Sequence, residues 1–156
     1  MKKSALALLI ALTASTSFAA TQGTLTLRGV VQELLSIDVQ AESVATQLDL
    51  TQSQTDLKVA TVNEVSNSKT GYKVRVESQN SGKLNHEDGS GVGSVTYTMK
   101  YGTNTVDLSS GSDFSTTTAG NYDEDKDVTI SYTGQAQTAL VAGEYSDTVY
   151  FTISAN

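Results

Sequence analysis

The chain has 156 residues, with ten Lys and Arg against seventeen Asp and Glu, a formal net charge of −7, and no Cys, Pro or Trp. Absence of Cys excludes disulfides, thiol chemistry and thiolate metal sites. The acidic balance gives little attraction for nucleic acid or for anionic membrane surfaces.

Residues 1–19 read as a secretory signal peptide, with Lys2 and Lys3 at the start, an apolar run from Ala5 to Leu12 and a small-x-small cleavage site at Ser17-Phe18-Ala19. The run is shorter than the roughly 20 residues a membrane-spanning helix needs. Cleavage after Ala19 leaves 137 residues, the size of one domain, with eight basic and seventeen acidic residues and a net charge of −9. A bacterial export route is the expectation.

The mature chain then opens on residues 23–31, where Leu25, Leu27 and Val31 share one face with Gly29 between them, while Thr24, Thr26, Arg28 and Val30 take the other. Period two predicts an extended strand with one apolar row. A strand at a free end must find a sheet to satisfy its backbone. Gln40 to Gln54 is polar, with a short strand expected near Ala45 to Leu50. Leu57, Val59, Val62 and Val65 start at spacing two and then slip by one, which predicts a bulged strand over 56–65 in preference to a short helix, given the β-branched content.

Asn67 to Gly71 is turn chemistry. Tyr72 to Ser78 then alternates, with Tyr72, Val74 and Val76 on one face and Lys73, Arg75 and Glu77 on the other. Residues 79–93 read as a long loop. Ser94 to Tyr101 is a strand, Gly102 to Asn104 a turn, and Thr105 to Leu108 a short hairpin arm. Residues 109–121 read as a loop and 127–133 as a strand. Glu144 to Ser154 reads as one closing strand, with Tyr145, Val149, Phe151 and Ile153 on one face and Thr148, Tyr150 and Thr152 on the other. About seven short strands without a convincing helix predict an all-β, immunoglobulin-like sandwich. The final strand runs almost to Asn156, so if it is the penultimate strand of such a sandwich, the closing strand is expected to be missing. An unfilled groove would leave a strand's worth of apolar surface wet, at about 25 cal/mol per Å².

These features resemble chaperone–usher fimbrial pilins. The stretch G-T-L-T-L-R-G-V-V from Gly23 to Val31 is similar to the pilin opening, and L-L-S-I-D-V from Leu34 to Val39 follows as the first body strand does. The Cys many pilins carry there is Leu in this chain, which brings it nearer the cysteine-free, alpha-type (colonisation-factor) major pilins. Those share the Tyr-plus-alternating-Val strand and the ending A-G-E-Y-S-D-T-V from Ala142 to Val149, which is also similar to spore-coat-U-type proteins. The resemblance implies a signal peptide at 1–19, a donor-strand extension at 20–31 and a sandwich domain at 32–156. It implies assembly by donor-strand exchange with identical or related subunits, served by a periplasmic chaperone and an outer-membrane usher, and ending in an adhesive surface fimbria. By position, Leu25, Leu27, Gly29 and Val31 would be the donor row, and Val149, Tyr150, Phe151 and Ile153 the acceptor strand. The rival expectation is a stand-alone secreted β-sandwich that binds carbohydrate or another adhesin ligand, with residues 23–31 folded into their own molecule.

Catalytic motifs are not expected. His86 lies in a polar turn and reads as a surface residue, without a partner that would orient it. No nucleophile elbow, phosphate loop or dinucleotide fingerprint is present in the sequence. Asp123, Asp125 and Asp127 alternate as in a calcium loop, but Lys126 intrudes and position twelve would be Gly134, so a solvated loop is expected. Tyr101 and Tyr122 read as packing residues in preference to sugar-stacking ones. Neither a cofactor nor a metal is expected.

Overall fold

The structure is a computed structural model that describes residues 22–156; the expected signal peptide lies outside the described residues. Among the described residues ten strands form: β1 (Leu35–Ala41), β2 (Gln54–Ser66), β3 (Tyr72–Ser78), β4 (Lys83–His86), β5 (Ser94–Tyr101), β6 (Asn104–Val106), β7 (Ser112–Thr116), β8 (Tyr122–Tyr132), β9 (Tyr145–Ser146) and β10 (Val149–Ala155). They make two antiparallel sheets in a sandwich-like, all-β arrangement. The larger has the order β1-β2-β8-β5-β4-β9, with β6 paired to β5; the smaller has the order β10-β3-β7. Residues 22–31 form a unit separate from 32–156.

Alternation explains the centre of the sandwich. Tyr72, Val74 and Val76 of β3 are buried against Val95, Tyr97, Met99 and Tyr101 of β5 and Val128, Ile130 and Tyr132 of β8 within one core. The turn before β3 depends on Gly71, whose φ is +80° and whose place would bring any Cβ within 1.8 Å of the Thr116 carbonyl oxygen.

The slip expected in 56–65 is present. The β2–β8 register shifts between Gln54 and Leu57 and again between Lys58 and Ala60, with Asp56 at φ 51°. The second shift makes Val59 and Ala60 both buried, and thereafter Val62, Glu64 and Ser66 face inward. Val65, expected in the core row, faces outward, and Glu64 takes the inner place. Its carboxylate is satisfied by two buried hydroxyls, Tyr72 Oη donating to Oε2 at 2.6 Å and Tyr101 Oη donating to Oε1.

Four expectations are corrected. The strand expected at 45–50 is a one-turn 3-10 helix over Ser43–Thr46 followed by loop, because Ala45, Leu48 and Leu50 lean inward without a strand to pair with. The loop expected at 79–93 contains β4, and that at 109–121 contains β7; both are polar strands held by the ladders of β5 and β3. The single closing strand over 144–154 is two strands in different sheets, β9 on β4 and β10 on β3. The break falls at Asp147, whose Oδ2 accepts from Ser78 Oγ at 2.6 Å and Tyr97 Oη at 2.7 Å, and whose Oδ1 accepts from the amides of Asn80 at 3.0 Å and Thr148 at 2.7 Å. Residues 22–34, which contain the stretch expected to pair with another molecule, carry no regular secondary structure in the single chain.

The tyrosines respond to their carboxylate partners. Tyr72, Tyr97 and Tyr101 are all pushed above the ordinary value near 10, first by burial and then by donation to Glu64, Asp147 and Glu64 respectively. In the unfolded chain they release protons near pH 10; in the folded chain they hold them beyond it. Stability is therefore complete below about pH 10 and falls as pH rises through the interval above. Urea unfolding between pH 9 and pH 11.5 is expected to show that decline. Tyr101→Phe is expected to flatten it, and to cost about 1–3 kcal/mol at neutral pH by leaving the Glu64 carboxylate short of a donor.

Candidate functional site

On one side of the sandwich the end strands of the two sheets lie near each other without a ladder between them. Among the described residues, β10 is the end strand of the smaller sheet and pairs only with β3, and β1 is the end strand of the larger and pairs only with β2. Leu35 lies opposite Ser66 and Ala155 opposite Tyr72, and the short turn 67–71 joins Ser66 to Tyr72. The start of β1 and the end of β10 thus lie at the same end of the sandwich, and the two strands run in opposite senses. Each presents a free edge of backbone donors and acceptors, the feature proteins usually blunt with charge, Pro or cover.

The side chains on these edges are correspondingly half-covered. Leu35 and Ile37 of β1 and Val149, Phe151 and Ile153 of β10 face the core but are only partly buried, and Val39 is 45% exposed. Where the end of β1 and the segment 45–48 meet the start of β10, a cleft of about 250 Å³ opens. Ala41, Ala45 and Leu48 form one wall, Val149 and Phe151 the other, and Met99, Val128 and Ile130 lie at its floor. It is smaller than the roughly 300–1,000 Å³ of small-molecule sites, and its apolar lining suits aliphatic side chains. Asp147 is the polar member of the lining, and its four hydrogen bonds fix the point where the chain crosses from β9 to β10.

The four positions expected on the acceptor strand divide. Val149 and Phe151 line the cleft. Ile153 packs on the core beyond it. Tyr150 points to the outer face, 52% exposed, its hydroxyl donating to Gln79 Oε1 at 3.2 Å. On the extension, Leu25, Leu27 and Val31 are 82%, 85% and 87% exposed. Gly29 has open space around its Cα. Sequence reading missed Ala41, Ala45, Leu48 and Met99 as cleft residues. It also missed Asp147, whose only signal was a charge interrupting an otherwise alternating stretch.

Other candidate residues are occupied structurally. His86 is buried, a correction to the surface reading, because β4 lies inside the larger sheet between β5 and β9. Its Nδ1 accepts from the Asp88 amide at 3.1 Å, which puts the ring proton on Nε2, 3.2 Å from the Ala142 carbonyl oxygen; Tyr145 packs edge-on at 5.1 Å. The acidic run at 123–127 is part of β8 and not a loop. Asn63 Nδ2 donates to Asp123 at 3.0 Å and Asp125 at 2.9 Å, and Asp127 pairs with Lys58 at 2.7 Å. Among the described residues no group of three His, Cys, Asp or Glu side chains is placed to hold a metal ion. Tyr101 is buried in the core, and Tyr122 packs edge-on against Tyr72 at 5.2 Å. No protein-family model and no curated protein sequence matches the chain.

Removing the Asp147 carboxylate orphans the buried Tyr97 hydroxyl and frees the crossover. Asp147→Ala is expected to lower unfolding free energy by about 3 kcal/mol, measured by urea denaturation. It is also expected to raise the fluorescence of a hydrophobic dye, as β10 loosens from the cleft floor.

Proposed function

We propose that the chain is a structural subunit of a fibre, joined to its neighbours by strand donation in the manner of the pilins its sequence resembles. The observation that carries this is a complementarity of lengths. β1 and β10 each offer a seven-residue free edge over a half-covered core. Within the alternating stretch 23–31 the apolar row from Leu25 to Val31 spans seven residues and is exposed. The occupant of the cleft is then the extension of a second copy, added as a strand antiparallel to β10, so that backbone bonds give affinity and the row Leu25, Leu27, Gly29, Val31 fills the space between the sheets.

Magnitudes favour this reading. Burying Leu25, Leu27 and Val31 contributes roughly 1.5–3 kcal/mol each, and the cleft residues are covered at the same time. Association costs about 4–15 kcal/mol, so the side chains alone give modest binding, and the strand ladder along β10 makes it tight. β1 and β10 approach within 8 Å between Cα atoms, so seating a strand along the whole of β10 requires β1 to part from it; β1 is held by one neighbour only. Such a contact joins unlike surfaces and does not close, so it propagates as a filament. In this reading the protein is exported, shielded by a periplasmic chaperone, and added at an outer-membrane usher to a surface fimbria.

The test uses mature protein from residue 20. It is expected to form multimers that resist denaturant, as seen by light scattering and by electrophoresis of unheated samples. Deletion of 20–31 is expected to leave a monomer that binds a synthetic 22–34 peptide in trans. A full-length monomer that simply unfolds on that deletion would instead establish the stand-alone secreted binding domain.

A further inference from the structure

The strand-donation reading raises a question of its own: the extension is chemically able to close its own molecule. Let the chain reverse over Gln32, Glu33 and Leu34. A three-residue hairpin loop then pairs Val31 with Leu35, Gly29 with Ile37, Leu27 with Val39 and Leu25 with Ala41. Directly opposed residues in an antiparallel pair share a face, so the whole apolar row of the extension would fall in phase with the inward row of β1. Loops of this length are common in hairpins. An effective concentration in the millimolar range for such a short tether would favour self-closure over a neighbour.

Two features of residues 32–34 and 67 oppose that reversal. Asn67 holds this segment by three hydrogen bonds: its Nδ2 donates to the Gln32 carbonyl oxygen at 2.9 Å, its Oδ1 accepts from the Leu34 amide at 2.6 Å, and its own amide donates to the Leu34 carbonyl oxygen at 3.2 Å. Residues 32–34 therefore continue the line of β1 as a pseudo-strand against Asn67. A turn over these residues would have to give up the Gln32 and Leu34 bonds. The second feature is composition. A three-residue hairpin needs a residue with positive φ at its end, which Gly or Asn supplies; Gln32-Glu33-Leu34 contains neither.

We propose that Asn67 is a selector between self-closure and assembly: its side chain keeps residues 32–34 from turning and so reserves the extension for a second copy of this chain. This rests on the strand-donation reading and adds the residue that regulates it. Asn67 is half-buried next to the turn that sets up β3, so its role is to position, not to contact the donor.

The experiment compares mature wild type with Asn67→Asp, Asn67→Ala, Leu34→Gly and the Asn67→Ala/Leu34→Gly pair. Mass is read by size exclusion with light scattering, and closure by trypsin protection at Arg28, the single basic residue between 22 and 34. Expected is a rise in trypsin-protected monomer in the order wild type, Leu34→Gly, Asn67→Ala, double variant. Loss of the Asn67 side-chain bonds is expected to shift the monomer-to-multimer ratio roughly tenfold or more, the equivalent of one or two net hydrogen bonds. Asn67→Asp keeps the acceptor for the Leu34 amide and loses the donor to Gln32; it is expected to lie between wild type and alanine, and it decides the matter if the alanine variant does not fold. Wild-type multimers together with variants that assemble to the same extent, or variants that fold only when the 22–34 peptide is supplied in trans, would overturn the role of Asn67 and leave strand donation standing. Wild type that neither assembles nor, once shortened, binds the peptide would overturn both.

Discussion

The free edge of β10 is the constraint on which the molecule turns. A sandwich covers its core by running strands along both sides, and here the smaller sheet ends at β10, whose outer edge is in no ladder among the described residues. The cost appears twice in the same place, as backbone groups without a ladder and as Val149, Phe151, Leu35, Ile37 and Val39 only partly removed from water. Neither alone would single out this face, since all sheets have edges and all surfaces carry apolar atoms. Their coincidence over seven residues on each rim does.

The rest of the fold braces that opening. Asp147 ties the entry of β10 to β3 and β5 through Ser78 and Tyr97. Glu64 joins β2 to β3 and β5 through Tyr72 and Tyr101. His86 packs against Tyr145 and bonds across to Ala142, with Gly143 leaving room for the ring: a Cβ there would come within 2.2 Å of Nε2. In a chain without disulfides, these polar nodes, buried at Glu64 and His86 and half-buried at Asp147, and the strand ladders hold the sheets in register. Buried polar groups of this kind stabilise only when every member is satisfied, which is the case at all three.

Strands with a strict period were legible from the residues. Tyr72–Ser78 and Ser94–Tyr101 have the same bounds in the sequence reading and in the structure, because apolar and polar residues alternate without interruption. The bulge in β2 was legible as a slip, but its consequence was not: one extra residue turned Glu64 inward and Val65 outward, and only the two tyrosines from other strands make that tolerable. β4 and β7 were hidden because their sequences, K-L-N-H and S-D-F-S-T, read as loop and become strands through partners distant in the chain. The division at Asp147 was hidden for the same reason. At the candidate site, Val149 and Phe151 could be read from alternation, whereas the opposite wall, Ala41, Ala45 and Leu48, comes from a stretch without periodicity.

Because the chain has no cysteine, the central claim admits a direct covalent test. Leu27→Cys is prepared in one population and Phe151→Cys in another, and the two are mixed, allowed to assemble and oxidised. The account predicts a disulfide-linked species containing one molecule of each kind, absent from either population alone. No link between the two kinds of molecule in the mixture, together with a disulfide formed inside each molecule of a third population that carries both substitutions, would contradict it.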